Sequence, residues 1–487
     1  MKKKLFSFVA NQPIVVFLIL AVCLFFAKGP IYATATLAAA VVFLFFIYDD
    51  LSIALFQTYL FTLVIGAPFL TLPHLLIQSQ VLEKIAITSY LNVEIPYRFV
   101  VFSFFLLSLL LSIFSSQKKT IPKIPVVIGC LLFSLMFLVI NLGQLFGKYP
   151  LVYQWPTFHL LQIFLIFPAL IIFLQQKTSS IRNIDRIKKI FMGFVFFALI
   201  IEGFFSMVQV ITRAPIETRI EKFFTVDMVK APENNMFRSA GTVGHPNSLS
   251  IMMSTLIPIS LFFLIGKLNR SKQEKTKELF FEKFSIFMGF VGLILSYSRW
   301  AWISFSIGIF FILLFNKKWA YRNIRILLLS GSLFLLLLIS RFQRVATLSG
   351  RVNALDIYLK IIQSHPVWGV GPENSLVNLS AYGYDLNKYL YAVRGAHNTL
   401  LLVAADNGVI VGFLFLCIWI LIICLAIYYL IKYKKKSLVR NFLIFFTSSL
   451  LISILNTFAY PIYTFDSNLE IFLLIFAFFL FSPELFS

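Results

Sequence analysis

The sequence predicts an all-α, polytopic transmembrane helical bundle of about 12–14 spans, carrying a long extracytoplasmic loop with its own amphipathic helix. Three observations carry this. Of 487 residues, 60% are hydrophobic and only 13% charged, with a mean hydropathy of +0.90. A soluble domain has roughly 45–50% apolar and about 25% charged residues, so this excess cannot be hidden inside a water-soluble fold. Apolar runs of about 20 residues, the length that crosses a bilayer core, recur along the whole chain. The basic residues are distributed unevenly between alternate connections, as the positive-inside rule requires. A soluble enzyme, a nucleic-acid-binding protein and a disordered scaffold are excluded at once.

Fourteen spans are predicted, at 12–27, 31–48, 51–71, 98–115, 124–143, 157–175, 190–211, 248–266, 284–297, 300–315, 326–340, 399–430, 441–459 and 469–485. With the N-terminus (Lys2, Lys3, Lys4) in the cytoplasm, the N-terminus and the even-numbered connections hold 26 of the 42 Lys and Arg. The longer outer loops hold the other 16. The net charge of +22 is thus mainly a topology signal, with both termini cytoplasmic. The stretch after Lys2–Lys4 resembles a signal peptide in outline, but it runs through Lys28-Gly29-Pro30 straight into another apolar run and reads as the first span. Cys23, Cys130, Cys417 and Cys424 all fall inside predicted spans and offer no disulfide or metal-ligand spacing.

The whole chain, 1–487, therefore reads as one integral membrane domain. Its polar sequence is concentrated in outer loops, chiefly 212–247 and 341–398. Long loops with internal order are usually functional. In the second, Val352, Leu355, Leu359 and Ile362 recur at helical spacing, so 352–363 is expected to be an amphipathic helix ended by His365-Pro366. Trp368-Gly369-Val370-Gly371-Pro372 then forms a turn. No internal repeat relates the two halves, which argues against an inverted-repeat transporter.

Three stretches carry chemistry, and each lies at the outer N-terminus of a helix entering the membrane. They are Phe237 to Asn247, containing Arg238, Gly241-Thr242 and His245-Pro246-Asn247; the tight turn Ser296-Tyr297-Ser298-Arg299; and Arg394 to Thr399, containing His397-Asn398. Helix N-termini attract anions through unpaired N–H groups and a partial positive charge. Arg238 and Arg299 add planar forks suited to phosphate oxygens. Brought together, these ends would make an anion pocket at the outer surface, with a membrane-embedded diphosphate as its natural ligand. Plainer readings stand beside each: Arg299 as a snorkelling residue, His245-Pro246-Asn247 as a helix start, and His397-Asn398 as a cap pair. Glu202, an intramembrane carboxylate, is a functional candidate by default.

Together and in this order, the motifs resemble the O-antigen ligase and polymerase superfamily. The resemblance rests on Arg238, Gly241-Thr242, His245-Pro246-Asn247 and Ser298-Arg299. It continues through Ser349-Gly350-Arg351, His365-Pro366 with Gly369 and Gly371, His397-Asn398, and Asp406-Asn407-Gly408 with Gly412, where Asp stands in place of a frequent Glu. It is specific over about 237–415; the first seven spans match only in hydropathy.

The resemblance implies metal-independent, inverting transfer of an oligosaccharide or polysaccharide from undecaprenyl diphosphate at the extracytoplasmic face of a bacterial cytoplasmic membrane. The acceptor would be lipid A–core or another glycan, with no cofactor. It implies that Arg238, Arg299 and Arg351 hold the donor diphosphate and that His397 takes the acceptor's proton. Thr242, His245, Asn247, Asn398 and Glu202 are supporting candidates. A polymerase using the same donor is the nearest alternative. A lipid-linked glycan flippase, which needs the arginines but no base, is the next. A metal-dependent polyprenyl-phosphate glycosyltransferase ranks last: the first outer loop is only Lys28-Gly29-Pro30, and the outer loops contain no Asp-x-Asp pair.

Overall fold

The computed structural model describes residues 12–25, 30–65, 69–71, 94–115, 154–213, 229–230, 237–243, 245–268, 275–316, 346–371, 398–458 and 467–486, with isolated positions such as 375 and 382. It is an all-α membrane bundle. Because lipid offers no hydrogen-bond partners, apolar runs of this length must satisfy their backbone internally, and helices do so. In chain order the elements are α1 (Pro13–Phe25), α2 (Pro30–Tyr48), α3 (Leu51–Val64), β1 (Phe69–Thr71), β2 (Glu94–Pro96), α4 (Tyr97–Ser115), α5 (Gln154–Lys177), α6 (Ile181–Thr212), β3 (Val229–Lys230), β4 (Phe237–Arg238), α7 (Pro246–Leu268), α8 (Lys275–Leu295), α9 (Arg299–Phe315), α10 (Ala346–Ser364), α11 (Thr399–Asn407), α12 (Val409–Lys432), α13 (Ser437–Thr457), α14 (Ser467–Leu480) and α15 (Ser482–Phe486). β1 pairs with β2 and β3 with β4, both antiparallel. Prolines open α1, α2 and α7, where the missing N–H costs nothing.

By length and composition, four of the described helices can cross a membrane: Ile181–Thr212, Pro246–Ile265, Val409–Lys432 and Ser437–Thr457. Around them stand shorter apolar helices. The centre is made by α6, α7 and α8 packed on one another, with α13 against α7 and α9. Hydroxyls and an amide link these helices inside the apolar core: Thr255 with Ser453 (3.1 Å), Ser260 with Ser285 (3.1 Å), and Ser304 to Asn456 (3.1 Å). Between helices in lipid, where there is little hydrophobic driving force, such bonds and close packing hold the bundle. The many phenylalanines stack within it, as Phe191 on Phe478 (4.0 Å) and Phe442 on Phe486 (3.8 Å). Outward-facing residues such as Phe46, Leu111, Phe413 and Ile431 are exposed, as a lipid-facing belt requires.

Several predicted boundaries change. The span 51–71 ends at Val64, and 69–71 pairs as a strand. The span 190–211 begins instead at Ile181, so most of the basic connection 176–189 is helical. The span 399–430 is two helices broken at Gly408. The span 326–340 lies outside the described residues, and of 124–143 only 127, 131, 134, 135, 138 and 139 are described, all of them helical. The amphipathic helix expected at 352–363 is present as α10 and stops before His365-Pro366. Its buried stripe, however, is Ile357, Tyr358 and Ile361, whereas Leu355 and Leu359 are exposed. The reason is packing: α10 lies against α11, and Ile357, Tyr358 and Ile361 join the buried core, with Ile362 of the expected stripe packed partly against it.

Candidate functional site

Two of the three motif stretches meet. The Arg238 side chain is half-buried at the end of β4. Its Nε donates to the Ser296 carbonyl (3.0 Å) and its Nη2 to Asn247 Oδ1 (2.8 Å). One guanidinium thereby ties the turn between α8 and α9 to the first turn of α7. The Ser239 N–H adds a bond to the Leu295 carbonyl (3.1 Å), stitching the two segments along the main chain. In that turn Tyr297 adopts a left-handed backbone (φ 50°), and Arg299, half-buried, is the first residue of α9. Two helix N-termini and two arginines thus share one ledge, an arrangement suited to an anion.

His245 Nδ1 accepts the Asn247 N–H (3.1 Å) at the start of α7. Asn247 serves as the acceptor that orients Arg238. Thr242 and Glu202 are joined. The Thr242 N–H donates to Glu202 Oε2 (2.8 Å), its hydroxyl bonds Glu202 Oε1, and the hydroxyl also lies 3.0 Å from the Val64 carbonyl at the end of α3. Glu202 is wholly buried, an expensive place for a carboxyl unless it is well bonded.

Gln209 was missed by the sequence reading. Its Oε1 accepts from Ser239 Oγ (2.7 Å) and from the N–H groups of Ala240 and Gly241 (3.0 Å each), while its Nε2 donates to the Gly241 carbonyl (2.9 Å). The signal was present: Glu202, Ser206 and Gln209 stand at i, i+4 and i+7 in an apolar span, which puts all three on one helix face. All three are fully buried. Glu470, a second intramembrane carboxyl not singled out from sequence, accepts from the Tyr59 hydroxyl (2.6 Å) and joins α14 to α3.

The third motif opens α11. Asn398 caps α11, its Oδ1 accepting from the Leu401 N–H (3.1 Å). His397 lies outside the described residues, as does the Arg351 side chain, although Arg351 is within α10. Since α10 packs on α11, the helix bearing Arg351 adjoins the helix that His397-Asn398 opens. At the other end of α11 the chain breaks. The N–H groups of Val370 and Gly371 donate to the carbonyls of Ala405 (3.0 Å) and Asp406 (2.8 Å), and Val409 N–H donates to Pro366 (2.8 Å). Gly408 has φ +88°, and a Cβ there would lie 1.9 Å from the Val367 carbonyl oxygen; one on Gly369 would lie 2.4 Å from the Asp406 backbone. Only glycine permits this crossing. The buried Asp406 carboxylate accepts from the Ser375 N–H (3.0 Å). His365 Nδ1 lies 2.9 Å from Ser364 Oγ and 3.2 Å from the Tyr382 hydroxyl.

The fold and ledge define a polytopic helical membrane protein that presents arginines on clustered helix ends. Residues 284–416 match the family model described as O-Antigen ligase. The matched stretch includes Arg299, Arg351, His397, Asn398 and the broken helix; Arg238, Thr242, His245 and Asn247 precede it. The resemblance read from the motifs therefore holds over this segment, and the match supports a function of the O-antigen ligase or polymerase type. No curated protein matches the chain.

Proposed function

We propose that the chain is a single integral membrane glycosyltransferase of the O-antigen ligase kind, acting on the extracytoplasmic side of a bacterial cytoplasmic membrane with both termini cytoplasmic. Its donor is an oligosaccharide or polysaccharide on undecaprenyl diphosphate, and its acceptor is a hydroxyl of lipid A–core or of another glycan. The observation that carries this reading is the Arg238 guanidinium bridging the α7 start and the Ser296 turn beside Arg299. That geometry suits a diphosphate, and the match over 284–416 supports the glycan chemistry.

In the reaction the acceptor oxygen attacks the anomeric carbon from the face opposite the diphosphate. The anomeric carbon–oxygen bond to phosphate breaks, configuration inverts, and the acceptor's proton passes to His397. An imidazole with an ordinary pKa near 6.5 can do this at neutral pH. The departing polyprenyl diphosphate gains negative charge, which Arg238, Arg299 and Arg351 stabilise together with the α7 and α9 N-termini. No metal is required for that stabilisation.

The test is a reconstitution of purified protein with an undecaprenyl-diphosphate oligosaccharide, with and without lipid A–core, beside His397→Ala. A single acceptor-dependent product identifies a ligase, and a ladder from donor alone a polymerase; His397→Ala should abolish either. Transfer unchanged in that variant removes His397 as the base. Absence of any product, with donor instead crossing the bilayer of vesicles, replaces the transferase reading by a flippase.

A further inference from the structure

Two fully buried polar side chains of α6, Glu202 and Gln209, face the turn that follows Arg238, and between them they bond every residue from Ser239 to Thr242. Gln209 alone makes four of these bonds. The closeness is such that a Cβ on Gly241, at φ +59°, would lie 2.0 Å from Glu202 Oε2. A membrane helix that buries two polar residues does so at a cost, and here both are spent on one short turn.

We propose that Glu202 and Gln209 are positioning residues that clamp the 239–242 turn, and so hold the Arg238 fork where the donor diphosphate binds. Thr242 is held twice, its N–H donating to Glu202 Oε2 and its hydroxyl bonding Glu202 Oε1, and the same hydroxyl lies 3.0 Å from the Val64 carbonyl. A glutamine reproduces this set, its Nε2 donating to the hydroxyl and its Oε1 accepting the N–H. The same clamp reaches α3 through Val64, so the turn is fixed from two helices at once.

This inference rests on the proposed function for its activity readout, and amide exchange judges it independently. Glu202→Gln, Glu202→Ala and Gln209→Ala, each confirmed monodisperse by size exclusion, are compared with wild type by hydrogen exchange over 239–243 and by donor KM and kcat in the transfer assay. In Glu202→Ala and Gln209→Ala the protection of the amides of 240–242 should fall at least roughly tenfold. Donor KM should rise by roughly 10- to 100-fold, more than kcat falls, as a misplaced binding group predicts. Glu202→Gln should restore both to within about twofold of wild type, since it keeps both bonds. The proposal is overturned if Glu202→Gln is as impaired as Glu202→Ala, which would mean that a carboxylate is needed. It is equally overturned if Gln209→Ala leaves the exchange of 240–242 at the wild-type level. A wild type that transfers nothing refutes the proposed function, and the exchange arms still decide the clamp.

Discussion

The molecule fixes two of its turns by opposite means. At the Arg238 ledge, side chains hold main chain: Gln209 and Glu202 reach from α6 to the 239–242 turn, and Arg238 reaches on to Ser296 and Asn247. At the break between α11 and α12, main chain holds main chain, with Val370, Gly371 and Val409 donating to carbonyls of the crossing segment. The first arrangement can be retuned by exchanging one side chain. The second depends on having no side chain at Gly369 and Gly408. The first suits the diphosphate grip proposed for Arg238, and the second suits a fixed joint at the end of α11.

The contrast is broken or sharpened by two substitutions. Arg238→Ala should weaken donor binding by roughly 2–5 kcal/mol if the contact is desolvated, read as donor affinity in detergent, while the melting temperature moves less. Gly408→Ala should do the reverse: a left-handed backbone and a Cβ overlapping a carbonyl cost about 2–3 kcal/mol of stability, visible as a lower melting temperature with near-normal donor affinity. If Arg238→Ala chiefly melts the protein and Gly408→Ala chiefly weakens donor, the assignment of grip and joint is inverted.

The same contrast explains what the sequence made legible. The span pattern needed only hydropathy, because lipid enforces helices, and most described elements fall close to expectation. The motif residues Arg238 and Asn247 were readable by type, and the structure joins them. Gln209 escaped because a lone amide in an apolar run carries no motif; its meaning lies in the turn it meets, 30 residues downstream. The break at Gly408 escaped because apolar sequence continues through it, and a hydropathy pattern does not register a single left-handed residue. The face of α10 was misread since an isolated helix does not say which neighbour it will meet.

Two helix caps extend the comparison to smaller effects and give it a pH axis. Asn398 caps α11 with a neutral oxygen, and Asn398→Ala should cost about 1 kcal/mol independently of pH. Asp50 caps α3 through the Ile53 N–H (3.2 Å), and also pairs with Lys177 across to α5 (2.5 Å). Burial pushes the Asp50 carboxyl up, but its bonds from Lys177, Ser52 and Ile53 outweigh burial and leave it below its ordinary value. A carboxyl lowered on folding stabilises above its unfolded pKa, and loses that contribution as pH falls through the folded one. Asp50→Asn keeps the cap and loses the ion pair, so near neutrality it should cost under about 1 kcal/mol. The melting-temperature gap between wild type and Asp50→Asn should hold from neutrality down to the unfolded carboxylate pKa of about 3.9 and close below it. The gap between wild type and Asn398→Ala should stay flat over the same range. A wild-type advantage over Asp50→Asn that widens in acid would show that burial, and not Lys177, governs that carboxyl.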